Sequence, residues 1–335
     1  SVLARYLLRT RGVRCQSEQI LILSGAAQGF SLLARLLVST GDEIVIEDPV
    51  TYEVQLVLKG SGALLCPVPV DERGMRTDVL LDIPPTNAAH ASSYAQVGGS
   101  EVLDSHKRPS FVFVTPSHQF PLGGILPIQR RIQLIQFARA ANCYLVEDDY
   151  DSEFRYEGSP ISSLQGLEPE RVIYVGTFSK ILSPALRLGY MALPGELVER
   201  CRSIKRLADL HSPSLEQLVL ARFIDEGHLE RHIVRMRRVY QRRRNTLINA
   251  LKACFARQVS ILGDATGLHL VAQFCGVEFT QEVVAAIENA GVLVYPVEQH
   301  AIIKGRHVDK IILGYGHLTH EQIELGIRQM KIALG

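Results

Sequence analysis

Short apolar runs, rich in β-branched residues, alternate with longer amphipathic stretches through most of the sequence. The run Ile20–Leu23 precedes a helical pattern that begins near Phe30, and the run at 111–115 precedes another at 130–141. Strands that alternate with helices are joined by crossovers, which produce a mostly parallel sheet buried on both faces. With 335 residues, 47% of them hydrophobic, the chain can form one large domain and a smaller one. We therefore predict an α/β fold.

The pattern changes in the last third of the chain. Beyond residue 197 it is mainly helical, with one long helix predicted over residues 228–255, and three short apolar runs follow between later helices. This pattern of predicted helices and strands is typical of a smaller α+β domain. We expect a large domain over residues 20–230 and a small domain built from residues 1–19 and 231–335.

Composition excludes several classes of protein. The net charge is +1, so no bulk charge attracts nucleic acid or an anionic membrane. No apolar run approaches the roughly 20 residues that span a bilayer, and no signal-peptide pattern opens the chain. The six cysteines include no CxxC pair, which indicates buried thiols in a reducing compartment rather than disulfides or a zinc site. We expect a cytoplasmic protein that uses no metal and contacts no membrane.

The first residues of the sequence indicate how much of the protein the chain contains. Residues 2–11 already have the pattern of the middle of a helix, so we expect a fragment of a longer protein.

Residues 83–109 are rich in Pro, Ala, Ser, Gly and His, which predicts a long loop. Loops of this length are usually functional flaps or mobile insertions, and we favour a mobile insertion.

Four polar motifs each follow a predicted strand: SGAAQ, TPSHQFPLGG, EDDYDSEF and GTFSK. In open α/β sheets, ligands bind beyond the carboxyl ends of the strands. Each motif alone also has an ordinary explanation. SGAAQ fits an anion site at a helix start or simple close packing, Asp148 and Asp149 fit an acid pair, a metal site or a helix cap, and Lys180 fits a surface lysine.

Taken together, the motifs fit one cofactor. A lysine for a Schiff base, a carboxylate beyond a neighbouring strand, phosphate cradles at two turns and an arginine are the parts of a pyridoxal phosphate (PLP) site. The sequence resembles the fold type I aminotransferases, and within them the MocR/GabR-type bacterial transcription regulators. The resemblance spans essentially the whole chain and is carried by VTPSHQFPLGG, VEDDYDSEFRY, YVGTFSKILSPALRLGY and GHLERHIVRMRRVYQRRR.

The resemblance implies roles for residues around the cofactor ring. Lys180 would form the Schiff base, and Asp148 would pair with the protonated pyridine nitrogen. Tyr150 would donate to the phenolic oxygen. Tyr52 would stack on the ring, where offset stacking contributes roughly 0.5–1.5 kcal/mol; the alternative is a half-buried loop tyrosine. Asp149 is expected to be a supporting acid rather than a catalytic one.

The phosphate contacts come from the same resemblance. Backbone amides of Ala26 and Ala27 and hydroxyls of Thr177 and Ser179 would hold the phosphate. Arg187 would neutralise it through a charge-assisted contact.

The chain departs from the aminotransferases at two positions. They have Asn-Pro-x-Gly where this chain has Phe120-Pro-Leu-Gly, so the asparagine that contacts the phenolic oxygen is absent. His118 and Gln119 are the candidates to replace it and to contact an effector, and the MocR-type regulators share the HQ-x-P pattern. Near the C-terminus, Ile312 stands where aminotransferases place the arginine that binds the substrate carboxylate.

These features predict the PLP-binding, effector-binding domain of a MocR/GabR-type regulator, which senses a small amino compound through exchange at Lys180. The expected partners are a second copy of the chain and DNA, bound through an N-terminal winged-helix domain absent from this chain. The alternative is a stand-alone PLP-dependent aminotransferase. A PLP-free binding module fits less well because the set of cofactor residues is complete. The segment 228–244 contains seven arginines, which fit a solvated helix face, a dimer contact or DNA backbone contacts.

Overall fold

The structure is a computed structural model that describes residues 1–81, 108–158 and 161–335. The predicted loop at 83–109 lies almost entirely outside the described residues. Among the helices that are described, none is long and apolar enough to cross a membrane.

The larger sheet has eight strands within the described residues: β1 (Ile20–Leu23), β2 (Glu43–Asp48), β3 (Leu64–Asp71), β4 (Gly74–Met75), β5 (Phe111–Val114), β6 (Tyr144–Asp149), β7 (Val172–Thr177) and β8 (Gly189–Ala192). Their order across the sheet is β1-β8-β7-β6-β5-β2-β3-β4. Strands β7, β6, β5, β2 and β3 are parallel, whereas β8 is antiparallel to both β7 and β1. Strand β1 therefore runs in the same direction as β7, and the prediction of a mostly parallel sheet is confirmed.

A second sheet of four antiparallel strands, in the order β11-β12-β10-β9, comes from the C-terminal third: β9 (Val259–Leu262), β10 (His269–Phe274), β11 (Tyr295–Pro296) and β12 (Lys310–Gly314). Of the three short apolar runs in this part of the sequence, the one at 292–295 contributes only a two-residue strand, which begins at Tyr295. Pro296 has no N–H to donate, which limits the pairing of β11 with β12.

The described part of the chain contains ten α-helices: α1 (Val2–Arg11), α2 (Ala26–Leu37), α3 (Tyr52–Gly60), α4 (Thr77–Leu81), α5 (Ile128–Ala141), α6 (Val198–Asp209), α7 (Ser214–Asp225), α8 (His228–Phe255), α9 (Gln281–Asn289) and α10 (His320–Leu334). Helices α2 and α3 pack with one face of the large sheet, in a core that includes Phe30, Val146 and Val175. Helix α5 packs against the opposite face, with Leu134 beside Leu145. Burial on both faces explains why these strands are almost continuously apolar.

The second sheet has its own core, shared with α8, α9 and α10, in which Phe255, Phe274 and Tyr315 are buried. Helix α1 packs elsewhere: Tyr6 and Leu7 belong to a buried cluster that also contains large-sheet residues. The proposed domain boundaries at residues 20 and 230 remain a prediction.

Candidate functional site

Six strands of the large sheet end at the same edge. Because β1, β2, β3, β5, β6 and β7 run in one direction, the segments that follow them lie along their shared carboxyl edge. All of the predicted site residues before Arg187 lie in these strand ends or directly after them. The fold therefore brings four distant motifs to one place, which is where ligands bind in such sheets.

Asp148 and Asp149, the last two residues of β6, face opposite sides of the sheet because successive side chains of a strand alternate. Asp148 lies on the face of Val146, towards α2, and Asp149 lies on the other face. The Oδ1 atom of Asp148 is buried and has no hydrogen-bond partner among the described residues. Burial raises the pKa of Asp148 well above its usual range, and nearby acids raise it further. An unpaired buried carboxylate is costly unless a cation or donor joins it.

Lys180 follows β7, the strand that pairs with β6 next to Asp148. Its side chain is exposed, and its positive charge acts on the pKa of Asp148 in the direction opposite to burial. The structure thus places an accessible amine close to a buried, unpaired carboxylate. This pair can hold a ligand that needs a nucleophilic amine at one end and an anion at the other.

The start of α2 forms an open cradle. Helix α2 begins at Ala26 without a side-chain cap, so its first N–H groups, which include those of Ala26 and Ala27, have no intrahelical acceptor. Gly25 precedes it with φ 101°, and a Cβ there would lie 3.1 Å from Nη2 of Arg187. Arg187 donates from Nη2 to the carbonyl of Ser24 at 2.9 Å. Helix N-termini with a nearby arginine bind anions.

Two further residues border this cradle. Thr177 ends β7, and its Oγ1 accepts from the backbone N–H of Ser179 at 3.1 Å. Gln28 accepts from the N–H of Ser24 at 2.8 Å and donates to Asp209 at 2.7 Å. The cradle is therefore linked by hydrogen bonds to the end of α6.

A row of aromatic rings lies next to the site. His118 lies 5.6 Å from Tyr150 and 4.9 Å from His269, measured between ring centroids. Phe120 contacts His269 at 5.3 Å and His300 at 5.1 Å. Phe120 therefore supplies an apolar edge to this row.

Asp151 fixes the orientation of His118. Nδ1 of His118 donates to Oδ1 of Asp151 at 2.8 Å, and both side chains are almost fully buried. The hydroxyl of Tyr150 donates to the carbonyl of His118 at 3.0 Å. Gly267 closes over this pair, because a Cβ there would lie 2.1 Å from the His118 ring. The Nε2 atom of His118 is buried without a partner among the described residues, so it is available to a ligand.

His269 is held in its neutral form. Its Nε2 donates to the carbonyl of Pro121 at 3.0 Å. Burial, followed by the charge of His118, lowers its pKa to about 3. His118, Asp151 and His269 could together ligate a metal, since their ligand atoms lie within 4.8 Å of one another. Each already has a protein hydrogen bond, and the expectation that the site uses no metal remains a prediction.

Two predicted residues are placed differently from the others. Tyr52 begins α3 with a side chain that is 48% exposed, and its N–H donates to Nδ1 of His300 at 3.2 Å. Gln119 is fully buried, and its amide contacts the backbone of Pro49, Phe120 and Leu122. Tyr52 is free to cover a ligand, whereas the backbone contacts of Gln119 do not favour an effector role.

The sequence matches the family of aminotransferase class I and II over residues 1–308. The chain belongs to this family. An aminotransferase class I and II protein with this fold uses PLP, so the resemblance seen in the sequence and the predicted cofactor are both confirmed.

The similar curated proteins include transcription regulators. The chain is 36% identical to the HTH-type transcriptional regulator YhdI of Bacillus subtilis, over 99% of this chain and 66% of that protein. It is 32% identical to the probable rhizopine catabolism regulatory protein MocR of Rhizobium meliloti, over 99% of this chain and 63% of that protein. The chain thus spans about two thirds of the length of these relatives.

Among solved structures, the kynurenine aminotransferase of Pyrococcus horikoshii, in complex with PMP, is similar with a TM-score of 0.86. It is 25% identical, and the match covers 99% of this chain and 78% of that one. The aminotransferase class I and II fold, with its large sheet flanked by helices, is therefore confirmed for the chain.

The residues present fit PLP on two structural grounds. Asp148 is a buried carboxylate without a partner, as a ring nitrogen requires, and the uncapped start of α2 under Arg187 suits a phosphate. Ile312, which the sequence places where an arginine would bind a substrate carboxylate, packs in an apolar cluster with Val271. The residues present therefore fit the cofactor, whereas Ile312 offers no charge for a carboxylate.

Proposed function

We propose that the chain is the PLP-binding, effector-binding part of a MocR/GabR-type transcription regulator, and that it senses a small amino compound which takes the place of Lys180 on the cofactor. The observation that carries the proposal is the pairing of an exposed Lys180 with the buried, unpaired Asp148 in a chain whose relatives include HTH-type regulators.

Each residue then has a defined task. PLP, when bound, supplies an aldehyde carbon that amines attack and a ring that withdraws electrons. Asp148 holds the ring nitrogen in its protonated form, because a buried carboxylate is stabilised by a cation. Arg187 and the N–H groups of Ala26 and Ala27 bind the phosphate, with Thr177 and Ser179 beside it. Lys180 provides the amine that an effector displaces.

The site favours binding over turnover. A primary amine needs only to reach the cofactor in order to displace Lys180. Transamination also requires a substrate held so that the breaking bond is perpendicular to the ring, and such positioning contributes roughly 7–11 kcal/mol. Ile312 offers no charge for a carboxylate, and lysine does not reproduce the bidentate geometry of arginine. A bound effector can then shift a conformational equilibrium through its differential contacts.

His118 and Tyr150 are the residues that we propose to contact the effector and the phenolic oxygen of PLP. Tyr150 would turn its hydroxyl from the carbonyl of His118 to the phenolic oxygen of PLP. His118 would contact the effector through its unpartnered Nε2. Tyr52 would cover the open face of the ring.

A second candidate function is a stand-alone aminotransferase. It is favoured by the structural similarity to the kynurenine aminotransferase over 99% of this chain. Both functions use the same cofactor residues and differ in the fate of the bound amine.

The proposal extends to two macromolecular partners. DNA would be bound by a winged-helix domain of the full regulator, and the chain would form a homodimer in the cytoplasm. In α8, Arg237, Arg243 and Arg244 donate to backbone carbonyls of neighbouring segments. The other four arginines of the segment are exposed, at positions 231, 235, 238 and 242, and form one stripe along the helix.

The test is a spectral titration of the PLP-loaded protein with amino acids, D-amino acids, dipeptides and simple amines. For the regulator, we expect one compound to change the cofactor spectrum and the change to persist after a keto acid is added. Rapid amino transfer to the keto acid, at about 1 s⁻¹ or faster, would replace this proposal with the aminotransferase.

A further inference from the structure

Arg11 connects the first helix to the strand that carries Asp148. Its Nε donates to Oδ2 of Asp149 at 2.8 Å, its Nη2 donates to Ser117 at 2.7 Å, and its Nη1 donates to the carbonyl of Ile161 at 3.1 Å. The Arg11 side chain is 7% exposed and that of Asp149 is 2% exposed. Buried ion pairs of this kind are held in one geometry by their hydrogen bonds.

Asp149 has a second donor in Tyr174, whose hydroxyl contacts Oδ2 at 2.6 Å. Other charged groups also face it: Glu147 on the same face of β6, Glu153 in the segment after β6, and Arg131 of α5. Glu147 is itself bound by the N–H groups of Leu164 and Gln165. Arg11 is therefore the cation in direct contact with Asp149.

We propose that Arg11 is a positioning residue for the cofactor site: it binds and neutralises Asp149 on the far face of β6, so that Asp148 alone presents a negative charge to the cofactor. The proposal rests on the proposed role of Asp148. It assigns to α1 a function that none of the sequence motifs indicates.

The physical reason is the alternation of β6. Asp148 and Asp149 are neighbours in sequence, and like charges this close raise each other's pKa. The guanidinium of Arg11 stays charged at all relevant pH values, and its contact with Asp149 opposes this repulsion. If either Arg11 or Asp149 lost its charge, the charge that remains on the other residue would act strongly on the cofactor site.

The experiment uses the PLP-loaded protein and the pH at which its visible absorbance changes. The midpoint of this change reports the electrostatic potential at the lysine-bound cofactor. Asp149→Asn keeps the shape of the side chain and leaves the Arg11 charge uncompensated. We expect the midpoint to fall by about 0.5 pH unit or more, because a nearby cation disfavours a protonated nitrogen.

The double variant R11M/D149N removes both charges, and we expect it to return the midpoint to the wild-type value. A role confined to packing would not give this rescue, since the double variant loses more contacts than the single one. R11Q/D149N provides a second neutral pair if the methionine variant folds poorly. The matched control is Glu157→Gln, which leaves the buried Arg244 of α8 without its carboxylate and should not move the midpoint.

An unchanged midpoint in Asp149→Asn, or a midpoint that stays low in both double variants, overturns the proposal. Failure of the underlying function is recognised separately, because the wild-type protein would then have no cofactor attached to Lys180. The thermal stability of each apo variant is measured alongside, and a loss of stability without a midpoint shift also counts against the proposal.

Discussion

Asp148 and Asp149 are consecutive residues of β6, yet the structure gives partners to only one of the two carboxylates. Asp149 accepts from Arg11 and Tyr174, whereas Oδ1 of Asp148 is buried without a partner among the described residues. A fold optimised only for stability would not leave this carboxylate unpaired. The arrangement is expected where a bound group supplies the missing cation.

Asp148→Asn should stabilise the apo protein and weaken PLP binding. Burial raises the pKa of Asp148 in the native state above its pKa in the unfolded state. Between these two pKa values the native state holds a proton that the unfolded state has lost, so wild-type stability falls as pH rises. The asparagine variant lacks this loss, and its advantage in melting temperature should grow from pH 5 to pH 8. Melting curves of the two apo proteins check this, and an advantage that shrinks with pH would contradict it.

Gly25→Ala should damage the cradle at the start of α2 that we propose for the phosphate. Gly25 has φ 101° and ψ 164°, a conformation that is essentially restricted to glycine, and an added methyl group would press on Arg187. Such strain costs about 1–3 kcal/mol. We expect lower stability and weaker PLP binding, measured by melting and by titration of the apo protein. Gly195→Ala is the control, since a Cβ there meets open space. Equal PLP affinity in both variants would exclude a role of this cradle in binding the phosphate.

His269 should make the protein sensitive to acid. Its pKa is lowered to about 3 by burial, so the unfolded state takes up a proton below pH 6.5 and the native state does not. Stability is therefore lost as pH falls. Relative to His269→Gln, the wild type should lose about 2 kcal/mol more between pH 7 and pH 5. Urea unfolding at both pH values measures this. His317 is exposed, so His317→Gln should lose as much stability as the wild type. Equal losses of stability in all three proteins would refute the role of His269.

A homodimer should form through the apolar surface of α6 and α7. Leu207, Leu210 and Leu218 are 67–83% exposed. They lie next to Asp209, which is linked to the start of α2 through Gln28. Solvent-exposed leucines at this density indicate an interface. Leu207→Glu with Leu218→Glu should give a monomer with weaker PLP binding. Sedimentation at micromolar concentration tests this, and a wild-type monomer with PLP bound would contradict it.

The sequence was sufficient to predict the order and type of most elements, because strands buried on both faces have continuous apolar runs. It also predicted which motifs meet, since the carboxyl ends of parallel strands share an edge. It could not predict Arg11, whose contact with Asp149 joins residues 138 positions apart and depends on how α1 packs. Asp151 was visible within EDDYDSEF, but its pairing with His118 was not.

Other parts of the site depend on packing that periodicity does not report. The neutral state of His269 follows from its burial beneath the aromatic row, and nothing in its strand pattern indicates this. Gln119 has the residue type of a ligand contact, yet its amide is used by the backbone around Phe120. Residue type indicated the chemistry available, and only the fold showed which atoms are free.

The attachment of PLP to Lys180 is the central claim, and it is tested most directly by borohydride reduction of the loaded protein followed by peptide mass mapping. We predict a phosphopyridoxyl group on the peptide that contains Lys180, and loss of both the label and the visible absorbance band in Lys180→Ala. A label on another lysine, or an unchanged band in Lys180→Ala, would contradict the account.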